Sequence, residues 1–316
     1  MNASVLLVGY TNDPQLNAVA HALRDRGAHI QEVRPDLAPY AHQFAWQEGQ
    51  LLLDGGYLRE FDAAFVRALP PPHPGEGAFA SAADRRLDWE SWFQLNGLQR
   101  DRSDTLLGAL LTLERDATPI INAPSSALQS RRKPFQLEQI RAVGAPIPRS
   151  LVSNDPKAAQ SFIERVGRAI AKPAGGGALT LDAAALTAEQ LEAVARAPAI
   201  FQERIEGDDL RVMVLDGEVI SSVAIELPKG TLDFRADTDY RSGRARYSEA
   251  PLPPAVAYQC ADVTRRLGLR FGGIDIKRTS AGEFVFLECN NSPIYLDVER
   301  KMGHRITAAL AEALLD

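Results

Sequence analysis

Short apolar runs alternate with longer amphipathic stretches along this chain, and their spacing predicts most of its elements. Val5-Leu6-Leu7-Val8 is unbroken apolar sequence, as a strand buried on both faces requires. Residues 14–26 follow helical periodicity and stop at Gly27, and a second strand is predicted around 29–33. A β-α-β start of this kind reads as a doubly wound segment. Residues 51–53 and 57–61 flank Asp54-Gly55-Gly56, which predicts a hairpin with a primed turn. Residues 63–66 add a strand, and Pro70-Pro71-Pro72-His73-Pro74-Gly75 a loop or short linker. A helical region begins at Asp88, Trp89, Trp92 and Phe93 and runs to about Arg115. Ile120-Ile121 is the last strand of this lobe, and Asn122-Ala123-Pro124-Ser125 punctuates its end.

A second lobe opens with a helix around 133–142. A strand at Leu151-Val152 precedes a helix over 155–166, with Asn154 or Asp155 as N-cap and Pro156 in the first turn. The strand Ala169-Ile170-Ala171-Lys172 runs into Pro173-Ala174-Gly175-Gly176-Gly177, followed by a short β-segment at 179–181, a helix over 187–196 and a strand over 200–203. The third lobe is strand-rich. Residues 210–215, the turn Asp216-Gly217 and residues 218–225 form a hairpin; a helix over 255–267 precedes two very apolar strands, and a last helix spans roughly 304–315. A chain of 316 residues exceeds one ordinary core, so three lobes are predicted, over 1–125, 126–205 and 206–316.

Charge and cysteine content narrow the function. A net charge of −6 argues against a nucleic-acid partner, although Arg131-Arg132-Lys133 keeps local anion sites open. No apolar stretch approaches the roughly 20 residues of a membrane span. Met1 leads into the first strand without a charged segment and a long apolar one, so no signal peptide is expected. Cys260 and Cys289 read as buried thiols of a reducing cytoplasm. C-x-x-C and H-E-x-x-H are both missing, which argues against zinc. Only Gly9 stands at the first strand–helix turn, so the G-x-G-x-x-G fingerprint of NAD binding is missing as well.

The chemistry concentrates late in the chain. Asp275 closes the apolar run Phe271-Gly272-Gly273-Ile274, and Glu288 ends Phe284-Val285-Phe286-Leu287, with the turn Thr279-Ser280-Ala281-Gly282 between them. Pairing these strands brings Asp275, Glu288 and Asn290 together, three hard oxygen donors that suit Mg²⁺ with positions left for phosphate and water. An isolated E-x-N reads as a strand-end and turn. A carboxylate at the end of each of two apolar strands costs folding energy unless something uses it. Lys172 stands on an apolar strand before three glycines whose backbone can approach phosphate oxygens closely; a flexible surface hairpin with a snorkelling lysine is the other reading. Lys133 starts a helix, where an anion also feels the N-terminal dipole; a solvated basic cluster is its alternative. Residues 202–205 (Gln202, Glu203, Arg204, Ile205) form an exposed inter-lobe segment able to offer adenine a backbone donor and acceptor, and Asp209 is a carboxylate for ribose hydroxyls. Arg211, Arg235 and Arg241 supply forks for phosphate or carboxylate.

In this order, Lys133, Lys172-Pro173 with its glycines, Gln202-Glu203, Asp209-Leu210-Arg211, Asp233-Phe234-Arg235, Gly273-Ile274-Asp275 and Glu288-x-Asn290-x-Ser292-Pro293, the chain resembles the ATP-grasp superfamily. Within it, it is most similar to RimK-type glutamate ligases and, more loosely, to glutathione synthetases and ATP-grasp peptide maturases. The resemblance covers residues from about Pro124 to the C-terminus. It implies an α/β and α+β architecture, two α+β lobes sandwiching ATP behind a Rossmann-like pre-ATP-grasp domain. It also implies phosphate contacts from Lys133, Lys172 and Gly176, adenine binding at Gln202, Glu203 and Ile205, and ribose binding at Asp209. Asp275, Glu288 and Asn290 would hold one or two Mg²⁺ ions, with Mn²⁺ as an alternative, and Arg211, Arg235 and Arg241 would face the γ-phosphate and a substrate carboxylate. Two places depart from the pattern: the loop at 174–178 is short for a glycine-rich flap, and Ile294 stands where relatives often have Gly.

The activity implied is ATP-dependent ligation of a carboxylate to an amine through an acylphosphate. The partners are small-molecule or peptide carboxylates and amines, with no nucleic acid or membrane, and a homo-oligomer is left open. Ligation onto a peptide or protein, with Trp89, Trp92 and Phe93 as a docking face or as plain core, is one alternative. A non-catalytic nucleotide-binding protein is another.

Overall fold

The computed structural model describes residues 3–36, 42–47, 50–57, 61–70, 89–116, 118–175, 179–228, 231–233 and 236–316. The linker beyond Pro70, the helix start at Asp88, and Gly176, Gly177 and Arg235 lie outside these residues. The chain forms two compact units, Met1–Ala127 with Arg305–Asp316, and Leu128–His304.

In the first unit, β1 (Ser4–Val8), α1 (Pro14–Asp25), β2 (His29–Val33), β3 (Phe44–Gln47), β4 (Gln50–Leu53), β5 (Gly56–Tyr57), β6 (Ala63–Val66), α2 (Trp89–Arg115) and β7 (Ile120–Ile121) follow in order. A parallel sheet runs β2-β1-β6-β7, and the apolar run of β1 is buried in its middle. Asp13 caps α1, accepting from the Gln15 and Leu16 amides at 2.9 and 3.2 Å. The β4–β5 hairpin turns through Asp54 and Gly55, both at positive φ (53° and 83°), as a primed turn requires. Strand β3, which the sequence pattern does not reveal, adds a third strand there. The C-terminal helix, Ile306–Ala313, belongs to this unit rather than to the third predicted lobe; it packs on α1, with Arg26 and Glu312 paired at 3.6 Å.

The second unit begins within α3 (Pro124–Ser130), a helix where the sequence suggested only a chain break; its proline occupies the first turn, where no amide hydrogen is needed. It continues through α4 (Lys133–Ala142), β8 (Ser150–Ser153), α5 (Pro156–Val166), β9 (Ala169–Pro173), β10 (Leu181–Asp182), α6 (Ala188–Ala193), β11 (Ala199–Glu203), β12 (Asp208–Leu215), β13 (Glu218–Glu226), α7 (Thr238–Arg241), β14 (Arg246–Glu249), α8 (Pro254–Arg266), β15 (Phe271–Arg278), β16 (Phe284–Asn290) and α9 (Leu296–Met302). Asp155 caps α5, and Thr187 with Gln190 forms a capping box on α6, so that helix starts one residue later than its periodicity suggested.

Two antiparallel sheets result, β10-β9-β11-β8 and β14-β13-β12-β15-β16. Ala159 and Phe162 of α5 pack on Ala169, Ala171 and Phe201 of the first. On the second, strand alternation sends Leu210, Val212, Val214, Ile274, Ile276 and Phe286 to the face covered by α4 and α8. The alternate positions, Asp209, Arg211, Asp275 and Lys277, therefore share the opposite face. Among the described residues no helix is long and apolar enough to cross a membrane.

Gly272 and Gly273 carry this packing to its limit. A Cβ on Gly273 would stand 2.4 Å from Pro293 Cβ, and one on Gly272 would stand 2.8 Å from Thr264 Cγ2. The strand accepts no side chain on either face because Pro293 and α8 press directly on its backbone. Gly273→Ala is therefore expected to destabilise the protein by about 1–3 kcal/mol, as overpacking typically does. Denaturant melts of the variant and wild type check this; an unchanged midpoint would show that Pro293 moves away freely.

Candidate active site

A cavity of about 1110 Å³ opens in the second unit, lined by both of its sheets. Strand register organises its floor. Arg211 lies opposite Asp275, and Asp275 opposite Glu288, so one row crosses β12, β15 and β16. Arg211 Nε sits 2.7 Å from Asp275 Oδ1, and Lys133 Nζ donates to Glu288 Oε2 at 2.6 Å. Asn290, two residues beyond Glu288 on the same face, donates to Asp275 Oδ2 at 3.3 Å and to Glu288 Oε1 at 3.1 Å. Sequence reasoning gathered Asp275, Glu288 and Asn290 from chain spacing, and the structure brings them together.

The electrostatics follow from crowding. Burial pushes the Asp275 carboxyl well above the usual range against the pull of Arg211, and the neighbouring Glu288 charge adds to the rise. Burial also works against a Glu288 charge, but Lys133 and Lys172 outweigh it and hold that carboxyl below its ordinary range. Arg211 keeps its charge because Asp275 more than offsets the desolvation.

Two carboxylates and one amide fit a hard divalent cation. With the Asn290 amide turned over, an oxygen replaces the nitrogen that now faces both carboxylates, and the two orientations are nearly alike in shape. Among the described residues no group of three or more His, Cys, Asp or Glu side chains gathers to hold a metal. Mg²⁺ commonly keeps phosphate and water oxygens beside a few protein donors, and a trio of this size would leave room for them.

The other candidates divide. Lys172 on β9 and Gln202 on β11 line the cavity, and Gln202 Nε2 donates to Ser150 Oγ at 2.9 Å. Glu203 also lines it, but its carboxylate is forked by Arg149 Nε and Nη2 at 2.9 and 3.0 Å, which holds it below the ordinary range. Ile205 lines the connection from β11 to β12. Asp209 faces the cavity paired with Lys277 Nζ at 2.7 Å; burial raises its pKa against that pairing. Gly207 in the same connection has φ +153°, and a Cβ there would meet the Arg278 carbonyl oxygen at 2.2 Å, so the turn lies directly on β15. Arg241 is exposed on α7 and does not line the cavity, while Gly176 and Arg235 lie outside the described residues.

Tyr240, Arg244 and Arg246 line the end beyond the carboxylates; the resemblance had implied Arg211, Arg235 and Arg241 as the arginines facing the γ-phosphate and a substrate carboxylate. The alternation Arg244-Ala245-Arg246, with Ala245 buried, was the available signal for a strand approach carrying both arginines to one side. Arg244 pairs with Asp239 and Arg246 with Glu226, both in exposed contacts. Lys301 fixes this segment from α9, donating to the Gly243 and Ala245 carbonyls at 2.8 and 2.6 Å and to Asp297 at 2.9 Å. Both thiols are buried, and burial pushes Cys260 up to about 12, so neither suits a nucleophile.

The RimK-like ATP-grasp domain matches residues 131–314. The probable alpha-L-glutamate ligase of Shewanella pealeana is 28% identical over 225 residues, covering 67% of this chain and 48% of that protein. The D-alanine–D-alanine ligase of Chromohalobacter salexigens is 32% identical over 168 residues, 48% of this chain and 52% of its own. The chain thus spans about half the length of these curated relatives. Among solved structures, the ATP-grasp ligase PsnB complexed with a phosphomimetic variant of its minimal precursor, Mg and ADP superposes with a TM-score of 0.84 at 32% identity, covering 99% of this chain and 98% of PsnB. The fold is the ATP-grasp fold, and the chain belongs to the RimK-like ATP-grasp family.

Proposed function

We propose that this chain is an ATP-dependent carboxylate–amine ligase. The observation that carries the reading is the convergence of Asp275, Glu288 and Asn290 on one point of the cavity, ringed by Lys133, Lys172 and Arg211. A carboxylate does not acylate an amine at neutral pH, because its leaving oxide is too poor. Attack of the substrate carboxylate on the γ-phosphorus of ATP makes an acylphosphate and releases ADP. The amine then adds to the acyl carbon, loses a proton, and expels phosphate to leave the amide. Positioning and charge neutralisation suffice for such chemistry, and no protein nucleophile is required.

The roles divide by location. Lys172 and Lys133 bind phosphate oxygens, residues 202–205 hold adenine, and Asp209 holds ribose hydroxyls once Lys277 shares it. Asp275, Glu288 and Asn290 hold Mg²⁺, or Mn²⁺ in its place, which when bound neutralises phosphate charge. Arg211 is tied to Asp275 and orients that carboxylate, while Arg244 and Arg246 suit an incoming substrate carboxylate. The first unit's parallel sheet is read as the Rossmann-like pre-ATP-grasp lobe, and the buried thiols suit a cytoplasmic protein.

A peptide-borne substrate is favoured by one further observation. PsnB, solved with precursor peptide PsnA2 and AMPPNP, superposes over 99% of this chain with a TM-score of 0.79 at 29% identity, whereas D-alanyl-alanine synthetase A from Vibrio cholerae covers the same share with a TM-score of 0.63 at 15%. The deciding experiment measures ADP release from Mg·ATP against amino acids, dipeptides and Asp- or Glu-bearing peptides, including any encoded beside the gene. Release that depends on an added substrate supports the ligase; nucleotide binding with no substrate-dependent release identifies a binding protein instead.

Glu288→Gln should melt close to wild type yet lose nearly all ADP release, since volume is kept and one cation ligand is lost. Wild-type turnover at saturating Mg²⁺ would remove Glu288 from the site. Lys172→Ala should weaken ATP binding by about one to two orders of magnitude, because a charged hydrogen bond contributes roughly 1.5–3 kcal/mol. Calorimetry on this variant beside Arg131→Ala, an exposed control, checks it; equal effects would refute a phosphate role.

A further inference from the structure

Among the described residues strand β16 is the edge of its sheet, so one side of its backbone faces no neighbouring strand there. Buried amides and carbonyls need partners, and a strand edge left without them is both costly and mobile. At Cys289, which lies between Glu288 and Asn290, one side chain meets both needs. The Cys289 amide donates to Gln136 Oε1 at 3.1 Å, and Gln136 Nε2 donates to the Cys289 carbonyl at 2.6 Å. The carboxamide thus stands in for the peptide group of a missing strand. Its other Nε2 hydrogen goes to the Ser130 carbonyl at 2.8 Å, which fixes the side chain's rotamer, and Gln136 is only 1% exposed.

Gln136 lies one turn along α4 from Lys133, the residue bonded to Glu288. A single rigid helix therefore holds Glu288 by its carboxylate and Cys289 by its backbone. Rotation of the peptide groups at Cys289 would swing Glu288 and Asn290 away from the point that Asp275 faces. A side chain offering only an acceptor satisfies the amide and leaves the carbonyl without its donor; an apolar one leaves both buried and unpaired.

Building on the proposed ligase site, we propose that Gln136 is a positioning residue for the cation site, locking Glu288 and Asn290 into a shared orientation through the Cys289 backbone. The role is distinct from stability alone, because it fixes where two donor groups point.

The test uses the full chain with Gln136→Met, which removes both bonds at similar volume, and Gln136→Glu, which keeps the acceptor and removes the donor. Mn²⁺ binding in the presence of ADP is followed by the loss of the free-ion electron paramagnetic resonance signal. ADP affinity without metal and hydrogen exchange of the Cys289 amide are measured beside it. Groups that orient metal ligands typically contribute about 10–100-fold to metal affinity, so Gln136→Met should lose that much Mn²⁺ affinity, with metal-free ADP affinity nearly unchanged and the Cys289 amide exchanging faster. Gln136→Glu should protect the Cys289 amide more than Gln136→Met while still losing Mn²⁺ affinity. Folded variants with wild-type Mn²⁺ affinity would overturn the positioning role and leave the ligase reading standing, as would failure of both to fold, which would make the residue structural. A wild type that binds no Mn²⁺ with ADP would instead sink the cation site itself.

Discussion

Two carboxylates face one another across neighbouring strands, and neither tolerates the other's charge inside a protein without cations nearby. At an effective dielectric of about 20, like charges ~4 Å apart repel by roughly 4 kcal/mol, a large fraction of a typical domain's stability. The structure answers with Arg211 beside Asp275 and Lys133 beside Glu288, and it holds Asn290 between the two carboxylates. The two acids nevertheless move in opposite directions, Asp275 up and Glu288 down, because the lysines favour one of them. With Lys172 also acting on Glu288, the cations around the row match its two carboxylates, so the row can fold as it stands. Under the proposed reading, a divalent cation arriving with phosphates would share those carboxylates with the side chains that now hold them.

That row exists because the sheet has two unlike faces. Alternation sends Leu210, Val212, Ile274 and Ile276 into a core under α4 and α8, and it leaves Arg211 and Asp275 no choice but the cavity side. One of the helices that close the core also reaches the site: α4 contributes Lys133 and Gln136 from its first turns, where its orphan amide hydrogens also favour anions. Packing and chemistry share one element, so a change in how α4 sits would be felt in both.

Much of this was legible beforehand, for identifiable reasons. Two apolar runs joined by Thr279-Ser280-Ala281-Gly282 have few ways to pair, and that pairing alone sets Asp275 against Glu288. The primed turns at Asp54-Gly55 and Asp216-Gly217 were readable because positive φ at both positions demands such residues. What escaped depends on partners distant in sequence or on segments too short to show a period. Nothing near Glu203 announces Arg149, whose fork takes its carboxylate. Elements α7, β14 and α9 are four to seven residues long, so the segment that brings Arg244 and Arg246 to the cavity lining showed no period in the sequence. Gln136 is a neutral residue on a helix, and only the structure shows its amide against a strand edge.

The two ends of the cavity are built differently, and this has mechanical consequences. The end proposed for adenine draws on β9, β11 and the turn at Gly207, elements of the small sheet and its exit. The far end is continuous in chain with the candidate cation ligands: Asn290 leads to Pro293, which lies against the bare backbone of Gly273, then to the buried Tyr295, edge-on to Phe271, and into α9. From α9, Lys301 reaches across to the carbonyls of Gly243 and Ala245, using all three of its donors when Asp297 is included, and Tyr247 also donates to Asp297 at 2.9 Å. An ammonium with three divergent donors fits two carbonyls and a carboxylate in a way that a planar guanidinium does not. The position of Arg244 and Arg246 is therefore tied, link by link, to the strand that bears Glu288 and Asn290. If the proposed roles hold, substrate and phosphate would meet on one connected piece of structure, and the links from Pro293 to Lys301 would set their alignment.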